Sequence, residues 1–421
     1  GNTMTALLLT TLDTGNTAWL TMSAILVMLM TVPGLALFYG GLVRTKNLLS
    51  IIMQCLMCTV VLSILWIAFG YSWVFGTSLH GTGIGAVIGG LDKVFLHGVG
   101  VHSIMSPSGV PEITFCLFQC MFAVITPGLI IGAFAERLRF SSFMVFIVLW
   151  SILVYNPMAH FVWGGGWLQQ MGALDFAGGT VVHINAGISA LVMAVMLGRR
   201  RDYRPGRPIA ATNVIYVFLG AVFLWLGWFG FNAGSGLTAD GLDANAFLVT
   251  HLCTCVAAIT WMIIDWIFSG KPTTVGVCTG AVAGLVSITP AAGSTDVLGA
   301  IVIGIVTSIV CYCMVAYVKP KLGYDDALDA FGVHGIGGII GSILTGVFAT
   351  AAVTGGAKGA LYGDWHQLAV QLEATGFAIV YSGVITFVLF KVIDKTMGIR
   401  VVPRVEDEGL DIYEHGENAY N

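Results

Sequence analysis

Residues 179–199 read GTVVHINAGISALVMAVMLGR. Arg199 ends a run of about 20 apolar and small residues, and the stretch carries one ionisable group inside it, His183. As a helix rising about 1.5 Å per residue, such a run crosses a hydrocarbon core about 30 Å thick. Comparable runs lie at 16–41, 48–76, 112–135, 142–167, 210–233, 244–268, 273–290, 296–318, 331–351 and 367–397. The last spans about 46 Å as a helix, so it is expected to tilt or protrude. Composition agrees: 57% of the 421 residues are hydrophobic and 10% charged, against roughly 25% charged in a soluble domain. The expectation is an all-α membrane protein of about eleven transmembrane helices. A net charge of −4 gives no hint of nucleic acid.

Charge between the runs fixes the expected orientation. Arg44, Lys46, Arg137, Arg139, Arg199, Arg200, Arg201, Arg204, Arg207, Lys271, Lys319 and Lys321 follow odd-numbered runs. Lys391, Lys395, Arg400 and Arg404 follow at the end of the eleventh, and only Lys93 and Lys358 fall in even-numbered connections. Thus 16 of 18 basic residues share one side, which the positive-inside rule makes cytoplasmic. The N-terminus is then outside and the C-terminus inside, and a miscount by one would destroy the alternation. Ala6 to Leu9 is too short an apolar patch for a secretory signal, so either one was removed or Gly1 is an added remnant.

Pro33, Pro127 and Pro157 interrupt the first, third and fourth runs, which places kinks against protein or a cavity. Gly276, Gly280 and Gly284, and Gly337 with Gly341, have the spacing of close helix packing. The nine cysteines all fall in apolar runs. Cys116 and Cys120 share a helix face, but no second pair completes a metal tetrad. They read as small apolar packing residues.

The two halves resemble each other weakly. The first run ends Phe38-Tyr39-Gly40-Gly41 and the sixth Phe231-Asn232-Ala233-Gly234. The fifth opens with Asp175 and Phe176 before His183, the tenth with Asp329 and Phe331 before His334. Five spans per half is odd, so the second copy enters inverted, an architecture that puts the site near the midplane. One buried histidine alone reads as a neutral core residue. Two at equivalent places suggest a substrate or proton path, a bis-histidine haem or a metal site, although no third metal ligand is evident. Phe118, Phe122, Trp163, Trp228, Phe231 and Ser235 fit an interfacial aromatic belt or a cation–π site, and pattern alone favours the belt.

Several of these segments resemble one family. They are Pro33-Gly34-Leu35-Ala36-Leu37-Phe38-Tyr39-Gly40-Gly41, Asp175-Phe176-Ala177-Gly178-Gly179-Thr180-Val181-Val182-His183 and Gly227-Trp228-Phe229-Gly230-Phe231-Asn232-Ala233-Gly234-Ser235. Phe331-Gly332-Val333-His334-Gly335 and His415-Gly416-Glu417-Asn418-Ala419-Tyr420-Asn421 complete the set. Together they resemble the ammonium transporter family, the Amt/Mep/Rh group, over nearly the whole chain. With Trp163 and Ser235 both present, the bacterial Amt branch is closer than the Rh branch. The resemblance implies a multi-pass protein of the cell inner membrane, a homotrimer with one pore per subunit and no cofactor. It implies an outer ammonium site of Trp163, Phe122 and Ser235, a gate of Phe122 and Phe231, and a twin-histidine pore of His183 and His334. Asp175, Phe118, Trp228 and Tyr39 would support them, Asp175 as a helix N-cap.

The expected division is an extracytoplasmic segment 1–15, a transport domain 16–399 and a cytoplasmic regulatory tail 400–421. The acidic tail, with Glu406, Asp407, Glu408, Asp411, Glu414 and Glu417, resembles a family latch that meets PII-type signal proteins. The glycine-rich loop 78–111 holds His80, His97 and His102 and reads as solvated, with no fixed metal spacing. Ammonium transport leads, with no enzymatic activity. A sensor on the same fold is expected to carry a signalling domain beyond the last helix, where this chain has about 20 residues. A haem protein ligated by His183 and His334 is the remaining rival.

Overall fold

The computed structural model describes residues 10–420, so Ala6 to Leu9 and most of the segment 1–15 lie outside it. Among the described residues, ten helices are long and apolar enough to cross a membrane. They are α1 (Thr14–Leu42), α2 (Thr45–Phe75), α3 (Glu112–Phe134), α4 (Phe140–Gln170), α5 (Gly179–Leu197) and α6 (Val214–Gly236). The series continues with α7 (Gly241–Ser269), α9 (Val297–Leu322), α10 (Phe331–Phe348) and α11 (Trp365–Met397). Between them α8 (Thr274–Ile288) is apolar but only 15 residues long, about 22 Å. Each helix overlaps one apolar run of the sequence, and no strand occurs among the described residues.

The small residues fit the packing that their spacing suggested. A methyl at Gly280 would lie 2.4 Å from Trp261 Cβ, and at Gly284 2.7 Å from Ala257 Cβ, so α8 sits directly against α7. Gly341 is backed equally closely by the Ser287 backbone of α8. Pro127 and Pro157 are buried and Pro33 is half-buried, as their breaking of apolar runs implied. Seven of the nine cysteines are buried, Cys255 is half-buried, and all nine are free. Cys313 is exposed, so it is not a packing residue within the chain.

The basic connections meet at one end of the bundle around two buried carboxylates. Glu136 accepts from Arg44 Nε at 2.9 Å, Arg200 Nη1 at 2.6 Å and Asn47 Nδ2 at 2.9 Å. Asp325 takes Arg200 Nε and Nη2, both at 2.9 Å, and Arg137 Nη2 donates to its carbonyl at 2.6 Å. Burial alone would raise the Glu136 carboxyl, but Arg44 and Arg200 outweigh it and hold the group at about 2, below its ordinary 4.5. Its contribution is therefore complete above pH 4.5 and lost as pH falls toward 2, roughly 3 kcal/mol in all. Glu136→Gln leaves two guanidinium groups short of a counter-charge, which costs about 3 kcal/mol or more. Its melting temperature in detergent at pH 7 should fall clearly below wild type, and acid should then destabilise it less.

The tail is docked on this same end. Asp411 accepts from Leu49 N and Ser50 N at 2.9 and 2.8 Å, capping α2. Glu406 accepts from Arg201 N at 2.9 Å and pairs with Arg400 at 2.8 Å. Leu410 N donates to Asn47 Oδ1 at 2.8 Å. These bonds, with Val401 N donating to Arg137 O at 3.0 Å, join residues 400–411 to the start of α2 and to the connections after α3 and α5, which a merely solvated tail would not show.

Candidate functional site

The two histidines sit where helical geometry is loosened. His183 lies in a widened turn, Gly179–Ile184, and His334 in another, Phe331–Gly335. Such turns break the regular hydrogen-bond ladder and recur at functional positions. Backbones must approach closely here: a methyl at Gly187 would lie 2.2 Å from Gly335 N, and at Gly338 2.9 Å from His183 Cβ. Glycine at both places lets α5 and α10 cross at the imidazoles.

The rings meet edge to edge, their planes 11° apart and their centroids 5.2 Å apart. Their Nδ1 atoms are 3.0 Å from each other. Two neutral imidazoles can make that bond only if one Nδ1 donates and the other accepts. The two outward Nε2 atoms then differ in character, one bare and one protonated. His183 Nε2 is buried without a hydrogen-bond partner, an orphan that needs a ligand.

An aromatic column leads away from His183. Trp228 stacks on the His183 ring at 5.4 Å and 13°, and its Nε1 donates to Thr289 Oγ1 at 2.8 Å. Phe231 lies 6.0 Å from His183 and 4.3 Å from Phe122, and Trp163 stands edge-on to Phe122 at 5.6 Å. Phe118 lies tilted by 34° against Phe122, centroids 5.0 Å apart. Phe118, Phe122, Trp228 and Phe231 are each at most 1% exposed, which rules out the interfacial belt that pattern alone favoured. Above Phe122 opens a cavity of about 320 Å³, lined among others by Trp163, Gln119, Phe176 and Ser235. Ser235 Oγ donates to Phe231 O at 2.6 Å, leaving its lone pairs as acceptors. On the other side of His334 a cavity of about 60 Å³ is lined by Tyr39, Val282 and Asp329 among others. Tyr39 donates to Leu129 O at 2.8 Å.

Asp175 caps the His183 helix as its position suggested. Oδ1 accepts from Gly178 N and Gly179 N at 2.9 and 2.5 Å, Oδ2 from Thr180 N at 3.0 Å and Thr180 Oγ1 at 2.5 Å. Its carbonyl receives the Trp163 indole N–H at 2.9 Å. The counterpart before His334 is Asp326, not Asp329. Asp326 accepts from Ala330 N at 3.0 Å and Phe331 N at 2.8 Å. Asp329, with a left-handed φ of 61°, instead pairs with Lys319 Nζ at 2.6 Å. The signal was present: Asp175 and Asp326 each stand eight residues before their histidine, whereas Asp329 matched only by its nearness to a phenylalanine. Burial, then the neighbouring Asp329, push the Asp326 carboxyl up to about 7. His160, also not singled out by sequence, places its ring nitrogens 2.6 and 2.7 Å from Val74 O and Gly85 O, tying loop 78–111 to α4. No cluster of three or more metal-ligating side chains occurs among the described residues.

A helical membrane bundle with an aromatic column and paired imidazoles inside one subunit defines a polytopic membrane protein with a candidate path through its own chain. The profile of the Ammonium Transporter Family matches residues 18–420, and the chain belongs to that family. An ammonium transporter of Aquifex aeolicus is 50% identical over 97% of this chain and 94% of its own length. One of Bacillus subtilis is 47% identical over 96% and 98%. The crystal structure of Saccharomyces cerevisiae Mep2 superposes with a TM-score of 0.87 at 37% identity, covering 93% of this chain and 88% of that one. A solved structure named Sensor Amt Protein also reaches 0.87, at 30% identity over 95% and 98%.

Proposed function

We propose that this chain moves ammonium across the cytoplasmic membrane. Ammonium is recruited at the cavity bounded by Trp163, Phe122 and Ser235, gives up its proton to be relayed separately through the His183 and His334 imidazoles, and passes as ammonia between Phe122 and Phe231 and along the same pair. The observation that carries this reading is the unpartnered His183 Nε2, buried at the inner end of an aromatic column. Ring faces attract a small cation as it sheds water, and the Ser235 hydroxyl accepts one of its hydrogen bonds. Taking a bare ion further costs on the order of tens of kcal/mol in the Born limit, so the neutral molecule is favoured beyond the gate. Sodium and potassium have no proton to leave behind, and the same column excludes them.

Eleven spans, with α8 as a short eighth, an outside N-terminus and an inside C-terminus follow from the positive-inside rule. The basic end with its docked tail is then cytoplasmic, residues 400–421 form a regulatory latch offered to a PII-type protein, and residues 16–399 form the transport domain. A homotrimer is supported by His251, exposed on α7 beside Trp225 and Phe229. A polar ring turned to lipid is costly, and a neighbouring subunit would cover it. A bis-histidine haem fits poorly, because the two imidazoles spend their Nδ1 atoms on each other at 3.0 Å and the cavity beside His334, about 60 Å³, is far too small for a macrocycle. A sensor role is less favoured, since relatives named transporters are 41–50% identical and the solved sensor 30%.

The test is the current evoked by ammonium pulses in proteoliposomes, for wild type and Trp163→Leu. Wild type should respond at low ammonium. The variant should need about tenfold more for a half-maximal response, as expected for loss of a desolvated cation–π contact of about 1–2 kcal/mol. A wild type indifferent to ammonium would sink the reading.

A further inference from the structure

The column described so far runs through α3, α4, α5, α6 and α10. α11 contributes no ring to it, yet its first two turns carry two buried amides, Gln367 and Gln371. Gln371 is 1% exposed. Its Oε1 accepts from Leu174 N at 2.7 Å and its Nε2 donates to Leu174 O at 2.8 Å. One side-chain amide thus grips both polar atoms of a single residue, as a neighbouring strand would. Nε2 also donates to Ser342 O on α10 at 3.0 Å. Gln367 Nε2 donates to Gln371 Oε1 at 3.1 Å and to Gly172 O at 3.0 Å. Every donor and acceptor of the Gln371 amide is therefore occupied, and its rotamer is fixed.

The gripped residue immediately precedes Asp175. From there one bond leads to Trp163 through the Asp175 carbonyl, and the carboxylate leads to the first turn of the His183 helix. We propose that Gln371 is a positioning residue for the outer site: it sets Asp175, and through it the Trp163 ring above Phe122, from a neighbouring helix. This rests on the reading of Trp163 as part of the ammonium site. The basic end shows the same device with different chemistry. There the residue preceding the second capping aspartate, Asp325, is held through its carbonyl by Arg137 and through its carboxylate by Arg200. An arginine clamp near Trp163 would repel the cation that the ring attracts, and a glutamine holds the same backbone with no net charge.

Reconstituted protein separates positioning from folding. Gln371→Leu should raise the apparent KM for ammonium about fivefold, with Vmax within about twofold of wild type, because two of the four hydrogen bonds it loses are those that hold Leu174. Gln371→Glu keeps an acceptor for Leu174 N–H and should lie between them, and it serves as the second variant should Gln371→Leu fail to insert. In a Trp163→Leu background, Gln371→Leu should add less than about twofold, because the two act on one ring. An unchanged KM in either well-folded Gln371 variant overturns the proposal. So does a full further fivefold rise in the double variant, which would mean that Gln371 acts elsewhere. A Trp163→Leu protein with wild-type KM removes the outer-site reading itself, and the positioning role falls with it.

Discussion

Asp175→Ala is expected to abolish ammonium-evoked current, a loss of about a hundredfold or more, while Asp175→Asn keeps a measurable fraction. The carboxylate is 8% exposed and receives the backbone N–H groups of Gly178, Gly179 and Thr180 together with the Thr180 hydroxyl. Those N–H groups open the helix that carries His183, and no preceding helical turn supplies carbonyls for them. Each buried donor left without an acceptor costs about 1–3 kcal/mol, so three of them exceed the 2.7 kcal/mol that a hundredfold represents. The turn would answer by shifting to find other acceptors. Because Gly338 holds its backbone against His183 Cβ, a shift of the His183 turn moves the imidazole off His334. Asparagine retains one oxygen, enough for part of the cap. An alanine variant that inserts normally and carries more than half the wild-type current would show that the cap is dispensable.

How the sequence relates to this site can be followed at single residues. Apolar length and the alternation of lysine and arginine outlined the helices because lipid imposes a one-dimensional rule on each span. His183 and His334 were legible for the same reason: an ionisable group inside an apolar run is conspicuous. Trp228 was less so. Near the end of its run it resembled a belt residue, and only the fold places it flat on the His183 ring. Asp326 was passed over for Asp329 because local similarity weighed a nearby phenylalanine above the distance to the histidine. Gln371 gave no local signal at all. A glutamine about one helical turn into such a run has many uses, and its own is defined by Leu174, 197 positions away. Contacts of that range leave no periodicity in the chain, and the family motifs, which are short and local, do not contain them.

Replacing both imidazoles, His183→Ala with His334→Ala, should change what passes more than how fast. The pair fills the buried stretch between Trp228 on one side and the small cavity by Tyr39 on the other, the two rings edge to edge with centroids 5.2 Å apart. Two methyl groups in their place leave a void that joins that cavity, and water enters a void that offers polar partners of sufficient size. The Thr289 hydroxyl beside Trp228 and the Tyr39 hydroxyl are such partners. A continuous water file lowers the cost of an intact ion, because hydration need no longer be surrendered. Ammonium then crosses with its proton, and potassium, similar in charge and hydration, follows it. The expected result is a potassium current absent from wild type and a fall of at least about tenfold in ammonium over potassium selectivity, equivalent to 1.4 kcal/mol. Single substitutions should show smaller falls, since the remaining ring still fills half of the constriction and still offers a nitrogen. Measured under equal ammonium and potassium gradients, the experiment distinguishes two roles. If the imidazoles only fill space, His183→Leu with His334→Leu, which restores apolar volume, should recover both rate and selectivity. If they also hand a proton along the 3.0 Å contact between their Nδ1 atoms, the leucine pair should exclude potassium and yet carry little ammonium current. Unchanged rate, current and selectivity in both alanine single variants would remove the twin-histidine role altogether.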